Sequence, residues 1–169
     1  QSINRLLNEN IVDEIFIIDD CSTDGSNQII DELTKEYNSI KKFQTSHNMG
    51  KGGAIKMIQN SINTSYSIIH DADLEYFPKD IKKLLSEVDQ EQPTFVIGSR
   101  FINNIEPQNY YRTYFANKFL SFLFSFIHRR KVTDIATCYK LFPNEYFKNT
   151  ILESNGCLLY TSPSPRDRS

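Results

Sequence analysis

The stretch Ser67-Ile68-Ile69-His70-Asp71-Ala72-Asp73-Leu74-Glu75-Tyr76 begins apolar and ends in acid. Read as a strand that runs out at its acidic end, it sets Asp71 and Asp73 on one side, because side chains of extended chain alternate faces. Glu75 follows close behind. Carboxylates crowded at one edge repel each other, and a cation between them removes that cost. Hard oxygen donors suit Mg2+ or Mn2+ rather than zinc, and magnesium completes its shell with water and substrate phosphates. The chemistry implied is a metal, held by Asp71, Asp73 and Glu75, that grips a nucleotide diphosphate. The bland alternative is a solvated acidic loop opening the next helix, where negative charge favours the positive end of the dipole.

Other stretches carry similar chemistry. Glu14-Ile15-Phe16-Ile17-Ile18 ends in Asp19-Asp20, then in the turn-rich Cys21-Ser22-Thr23-Asp24-Gly25-Ser26. Thr94-Phe95-Val96-Ile97 ends at Gly98-Ser99-Arg100. Gly50-Lys51-Gly52-Gly53 has neither the glycine spacing of a P-loop nor that of a dinucleotide fingerprint. It still offers backbone amides at a helix N-terminus, an anion site with Lys51 beside it; the alternative is a plain loop into a helix.

These residues need elements to place them. The apolar runs at 14–18 and 66–70 read as strands, as do 40–45 and 94–97. Between them the spacing predicts helices. Ile29, Ile30, Leu33 and Tyr37 form one stripe, Ala54, Ile55, Ile58 and Ile62 a second, and Ile81, Leu84, Leu85 and Val88 a third behind Pro78. Alternating strand and helix predicts an α/β fold with a mostly parallel sheet. Ligands of such sheets bind beyond the carboxyl ends of the strands, so the three polar strand ends are expected to converge at one edge.

The chain has 169 residues, one domain's worth, and a net charge of −2, which does not suggest nucleic acid as a partner. Cys21, Cys138 and Cys157 are odd in number and far apart, so neither a disulfide framework nor a zinc site is indicated and a reducing cytosol fits. No apolar run reaches the ~18 residues of a membrane span. The opening Ser2-Ile3-Asn4-Arg5-Leu6-Leu7 reads as a helix already under way without a start methionine. The last stretch, 157–169, changes character and resembles a translated sequencing-adapter tail, the alternative being a natural Ser/Pro-rich tail. The expectation is a truncated domain over 1–156 followed by a non-native tail.

Taken in order, the motifs resemble the family-2 glycosyltransferases of GT-A fold, in particular the polyprenyl-phosphate (dolichyl-phosphate mannose or glucose synthase-like) branch. They are Ile17 to Ser26, Asn48 to Ala54, Asp71-Ala72-Asp73-Leu74-Glu75, Gly98-Ser99-Arg100-Phe101, and Thr133 to Phe142. Cys21 and Cys138 stand where the family commonly has glycine, and its first strand is expected to be missing here. The resemblance implies a nucleotide-diphosphate sugar donor, a polyprenyl phosphate acceptor, and inversion at the sugar carbon. It implies that Asp19 and Asp20 meet base or ribose, with Gly50, Lys51, Gly52 and Asp71 also on the nucleotide. Asp73 becomes the principal metal ligand. A lipid phosphate is already a nucleophile at neutral pH, so it needs a cationic cradle rather than a strong base. Arg100 and Arg112 are the candidates, against the alternative of ordinary surface ion pairs, with Asp134 orienting an arginine or the acceptor.

Between Tyr110 and Lys131, Phe115, Phe119, Phe122 and Phe126 share one helical face, and His128-Arg129-Arg130-Lys131 follows. Such a helix could lie in a membrane interface with its basic end at anionic headgroups, or be buried against the sheet. The expected location is cytoplasmic, peripheral at the inner face of a membrane. Competing readings are a family-2 enzyme acting on a sugar hydroxyl of a surface polysaccharide, a nucleotide-binding module without turnover, and a nucleotidyltransferase.

Overall fold

The apolar, β-branched run Ile15-Phe16-Ile17-Ile18 forms the body of strand β1 (Ile15–Asp19). The protein is described here from a computed structural model, which covers residues 1–74, 76–89, 91–101 and 111–149, with the backbone alone at 111–113. The chain packs as two units. One holds Gln1–Thr64 with the segment that begins at Asn144, and the other is Ser65–Pro143.

In the first unit, helix α1 (Ser2–Glu9) leads into β1, and helix α2 (Ser26–Glu36) crosses to strand β2 (Ile40–Gln44). β1 and β2 are parallel, in register from Ile15↔Ile40 to Asp19↔Gln44. Helix α3 (Gly50–Ile58) follows, and α6 (Asn144–Asn149) packs in the same unit. Its core is Leu6, Ile15, Ile40, Ala54, Ile55, Ile58, Ile62 and Phe147. One expected contact fails. Ile29 is 60% exposed and no α2 residue is fully buried. Ile30, Leu33 and Tyr37, at i, i+3 and i+7, define the inner line instead, and Ile29 lies beyond its margin.

In the second unit, strand β3 (Tyr66–Ile68), helix α4 (Lys79–Ser86), strand β4 (Val96–Ile97), helix α5 (Tyr111–His128) and strand β5 (Lys140–Pro143) build a three-stranded sheet in the order β3-β5-β4. β5 runs antiparallel to both neighbours. β3 and β4 are therefore parallel to each other and release their chains at the same edge. The α/β class thus holds with a parallel pair in one unit and an antiparallel insertion in the other. Gly98 allows the close approach of β4's end: its N–H donates to Tyr139 O at 2.9 Å, and a Cβ there would meet Tyr139 Cβ at 3.1 Å. On α4, Ile81 and Leu84 are buried, but Leu85, expected inside, is 39% exposed.

Helix α5 is packed by its polar side. Its two buried side chains, among those described, are Asn117 and Ser121. Asn117, Ser121 and Ser125, four apart, hold the segment 132–136: Ser125 Oγ accepts from Val132 N–H at 2.9 Å and Ser121 Oγ from Ile135 N–H at 3.0 Å. At roughly 100° per residue, Phe115, Phe119, Phe122 and Phe126 lie about 100–160° around the helix from the centre of that polar line, and each is between 65% and 76% exposed. Of the two readings of this helix, burial of the phenylalanine line against the sheet is not found.

Candidate functional site

In the first unit, the end of β1 meets the start of α3. Asp20 Oδ1 accepts the Thr45 hydroxyl at 2.7 Å and Met49 N–H at 2.9 Å, and Oδ2 accepts Gly50 N–H at 2.7 Å. Burial opposes its ionisation. The bonds from Met49, Thr45 and Gly50, with the charge of His47, outweigh burial and hold the carboxyl below its ordinary value. The N-terminus of α3, expected to be an anion site, thus already receives a carboxylate from its own chain. The helix starts earlier than the sequence suggests. Gly50, Lys51, Gly52 and Gly53 are its first turn rather than a loop, with Gly50 at φ 70 and Gly52 and Gly53 buried. A Cβ on Gly53 would stand 2.6 Å from Met49 Cβ, which explains the glycine. Lys51 is exposed.

Asp19 differs from its neighbour. It is 3% exposed; Oδ1 accepts Ser22 N–H at 3.1 Å, while Oδ2 is buried with no hydrogen-bond partner among the described residues. A buried oxygen left unpaired costs on the order of 1–3 kcal/mol. Cys21, at the common glycine position, takes φ 64, the left-handed region that glycine occupies without strain.

In the second unit, β3 ends at Ile68, and Asp71 to Leu74 are coil and bends. Strand alternation therefore does not set the facing of Asp71 and Asp73. Both carboxylates lie close enough to act on the charge of His70. Burial nonetheless wins there and lowers the imidazole's pKa. His70 Nδ1 and Tyr139 Oη share a hydrogen bond of 3.0 Å. Tyr139 stacks on Tyr76 at 4.7 Å, and Tyr76 Oη accepts Cys138 N–H at 2.8 Å. Burial raises the pKa of both phenols, so they act as neutral hydrogen-bonding groups.

Arg100, at the same sheet edge, is fixed from behind. Its Nε donates to Asp134 Oδ2 at 2.8 Å and its Nη2 to Asp134 Oδ1 at 3.1 Å. Arg100 N–H adds a bond to Oδ2 at 3.2 Å, and Asn117 Nδ2 one to Oδ1 at 2.7 Å. Asp134 is wholly buried. Burial would raise its pKa, but the bonds from Arg100 and Asn117 and the guanidinium charge lower it instead. The charge of Arg100 also reaches Tyr76, which links the arginine pair to the tyrosines beside the acidic loop.

The structure thus brings Asp20 to Gly50, Asp71 and Asp73 to His70, and Arg100 to Asp134. Glu75 lies outside the described residues, and of Arg112 only the backbone is described. Among the described residues, no three His, Cys, Asp or Glu side chains cluster as a metal site. Two carboxylates with hard oxygens still fit a magnesium that takes its other ligands from water and phosphate. Sequence reasoning missed His70, Tyr76, Tyr139 and Asn117. Only Asn117 left a signal, as part of the four-residue polar repeat in an otherwise apolar helix.

The parallel βαβ pairing and the carboxylates after β1 and β3 place the chain among α/β proteins with strand-end acidic sites. More particularly, it belongs to glycosyl transferase family 2, whose model matches residues 1–151. It is similar to "Glycosyltransferase AglJ" of Haloferax volcanii, 29% identical over 84% of this chain and 45% of that protein. It is similar to the human "Dolichyl-phosphate beta-glucosyltransferase", 29% identical over 81% of this chain and 45% of that protein. A third relative is the "UDP-N-acetylglucosamine--dolichyl-phosphate N-acetylglucosaminyltransferase" of Methanococcus voltae, 28% identical over 63% of this chain and 48% of that protein. The chain spans a little under half the length of these relatives.

Proposed function

We propose that this chain is part of a glycosyltransferase that moves a sugar from a nucleotide-diphosphate sugar to a polyprenyl phosphate, with inversion. The observation that carries the reading is the family match across residues 1–151, which takes in Asp20, the acidic loop and the Arg100–Asp134 pair. Two of the relatives above have dolichyl phosphate in their names, and this is the acceptor class proposed here. Asp19 Oδ2, buried without a partner, is suited to accept a hydrogen bond from base or ribose. Asp20 holds the start of α3 in place beside it. Asp71 and Asp73, joined by Glu75 or a water, would hold Mg2+ or Mn2+, which when bound offsets charge on the leaving diphosphate. Arg100, aimed by Asp134, supplies positive charge for phosphate, with Arg112 its proposed companion.

The test uses the protein encoded at the complete locus, with labelled nucleotide sugars and an undecaprenyl phosphate acceptor. Label from one donor in the lipid phase, lost on chelation, is expected. Transfer to a soluble sugar acceptor with none in lipid would overturn the acceptor class, and nucleotide binding without donor consumption would overturn turnover itself.

The exposed aromatic face of α5 and the basic run after it are proposed to rest on the cytoplasmic face of a membrane. Among the described residues no helix is long and apolar enough to cross one. Burying a Phe side chain contributes about 1.5–3 kcal/mol. Phe119→Ser with Phe126→Ser is therefore expected to weaken co-sedimentation with phosphatidylglycerol vesicles by more than ~10-fold, since each 1.4 kcal/mol is a factor of about ten. Equal vesicle binding by the double variant would remove α5 as the contact.

A further inference from the structure

We propose that Lys118 binds the phosphate of the lipid acceptor, an inference that rests on the acceptor class proposed above. Lys118 follows Asn117 on α5 and is half-buried. Its ammonium lies over the Phe101 ring at 5.1 Å and the Tyr114 ring at 5.7 Å, and those rings meet edge to face at 5.2 Å. The guanidinium carbon of Arg100 lies 5.7 Å from the same Phe101 ring. Two cations therefore share one aromatic side chain.

Their circumstances differ. Arg100 meets Asp134 through both Nε and Nη2, so the planar edge best shaped for a two-pronged grip on phosphate already faces a carboxylate. Lys118 has no carboxylate partner among the described residues; its ammonium is held by rings alone. Lys118 thus adds a positive charge beside the Arg100–Asp134 pair. An aromatic face replaces only part of an ammonium's hydration, and a neighbouring cation adds repulsion. A phosphate monoester, carrying between one and two negative charges at neutral pH, relieves both. An ammonium offers it three rotatable N–H donors on a flexible stem.

The surroundings favour a phosphate attached to hydrocarbon over inorganic phosphate. Tyr114 packs against Phe115 at 5.7 Å, where the exposed aromatic line of α5 begins. A chain attached to a phosphate at Lys118 would find aromatic surface next to it.

The test compares Lys118→Gln, Lys118→Met and Lys118→Arg in the protein from the complete locus, with farnesyl phosphate as acceptor. Losing one charge-assisted contact is expected to raise the acceptor KM by about tenfold or more in the two uncharged variants. The donor KM and kcat should stay close to wild type, and Lys118→Arg should restore most of the acceptor affinity. Circular dichroism melting identifies any variant that loses its fold, and Lys118→Met keeps much of the stem's packing on the rings. An unchanged acceptor KM in a folded uncharged variant overturns the proposal. So does a rise confined to the donor KM, which would assign the charge to the diphosphate. Loss of phosphatidylglycerol vesicle binding with acceptor KM unchanged would make Lys118 a headgroup contact and overturn it too. Wild-type protein that labels a soluble sugar but not farnesyl phosphate overturns the acceptor class and this inference together, a result distinct from the variant-specific ones.

Discussion

Asp73→Asn is expected to abolish metal-dependent sugar transfer while leaving the fold in place. The substitution keeps the side chain's size and removes its charge. Asp73 is only half-buried and lies in the bends after β3, outside the β3–β5 pairing. What disappears is one of the two carboxylates that share His70 as a neighbour. A divalent ion stabilising a departing diphosphate contributes several kcal/mol, and each 1.36 kcal/mol is a factor of ten in rate. A fall in kcat/KM of at least ~10³-fold is therefore expected. Thermal unfolding should stay near wild type, and Mn2+ binding measured by isothermal titration should weaken. Wild-type turnover with unchanged metal dependence would sink the assignment of Asp73 as a ligand.

Asp134→Ala acts on stability as well as on activity. The carboxylate is wholly buried and accepts bonds from Arg100 Nε, Arg100 Nη2, Arg100 N–H and Asn117 Nδ2. Removing it leaves the Asn117 amide donor without its acceptor and Arg100 without its anchor. The Arg100 side chain is 44% exposed, so water takes up part of its charge, and the loss falls below that of a fully buried pair. A decrease of about 2–4 kcal/mol in unfolding free energy is expected, a large part of a domain's usual 5–15 kcal/mol. Acid gives a second readout. The folded-state pKa of Asp134 is lowered from its ordinary 3.8. Its stabilisation is therefore present above that value and lost as pH falls through the folded-state value. Asp134→Ala should lack this component of the acid transition. Denaturant unfolding within ~0.5 kcal/mol of wild type, the usual range for surface changes, would show that the cluster is not structural.

The sequence made the strand ends legible because apolar runs followed by acid are local patterns. β1 and β2 stand close to where periodicity puts them, and Arg100 and Asp134 both lie within legible motifs. β5 was not legible as a strand, since Lys140 to Pro143 is short, carries a charged residue and ends in proline. The Asp20 clamp on Met49 and Gly50 was equally hidden, because its partners lie 29 and 30 residues away. The four phenylalanines of α5 dominate its hydropathy pattern, yet three polar positions pack it. There, hydrogen-bonding capacity rather than hydropathy decides which face is inside.

That attachment has a thermal consequence. Exposing apolar surface raises heat capacity, and exposing polar surface lowers it. Release of α5 uncovers the amide of Asn117, two serine hydroxyls and the backbone of 132–136. With the Tyr114–Phe101 contact as part of its apolar surface, it should carry a smaller heat-capacity change per residue than the melting of the isoleucine-rich core around β1 and α3. Docking of α5 should then depend less on cooling than that core, where burial of methyl groups loses strength.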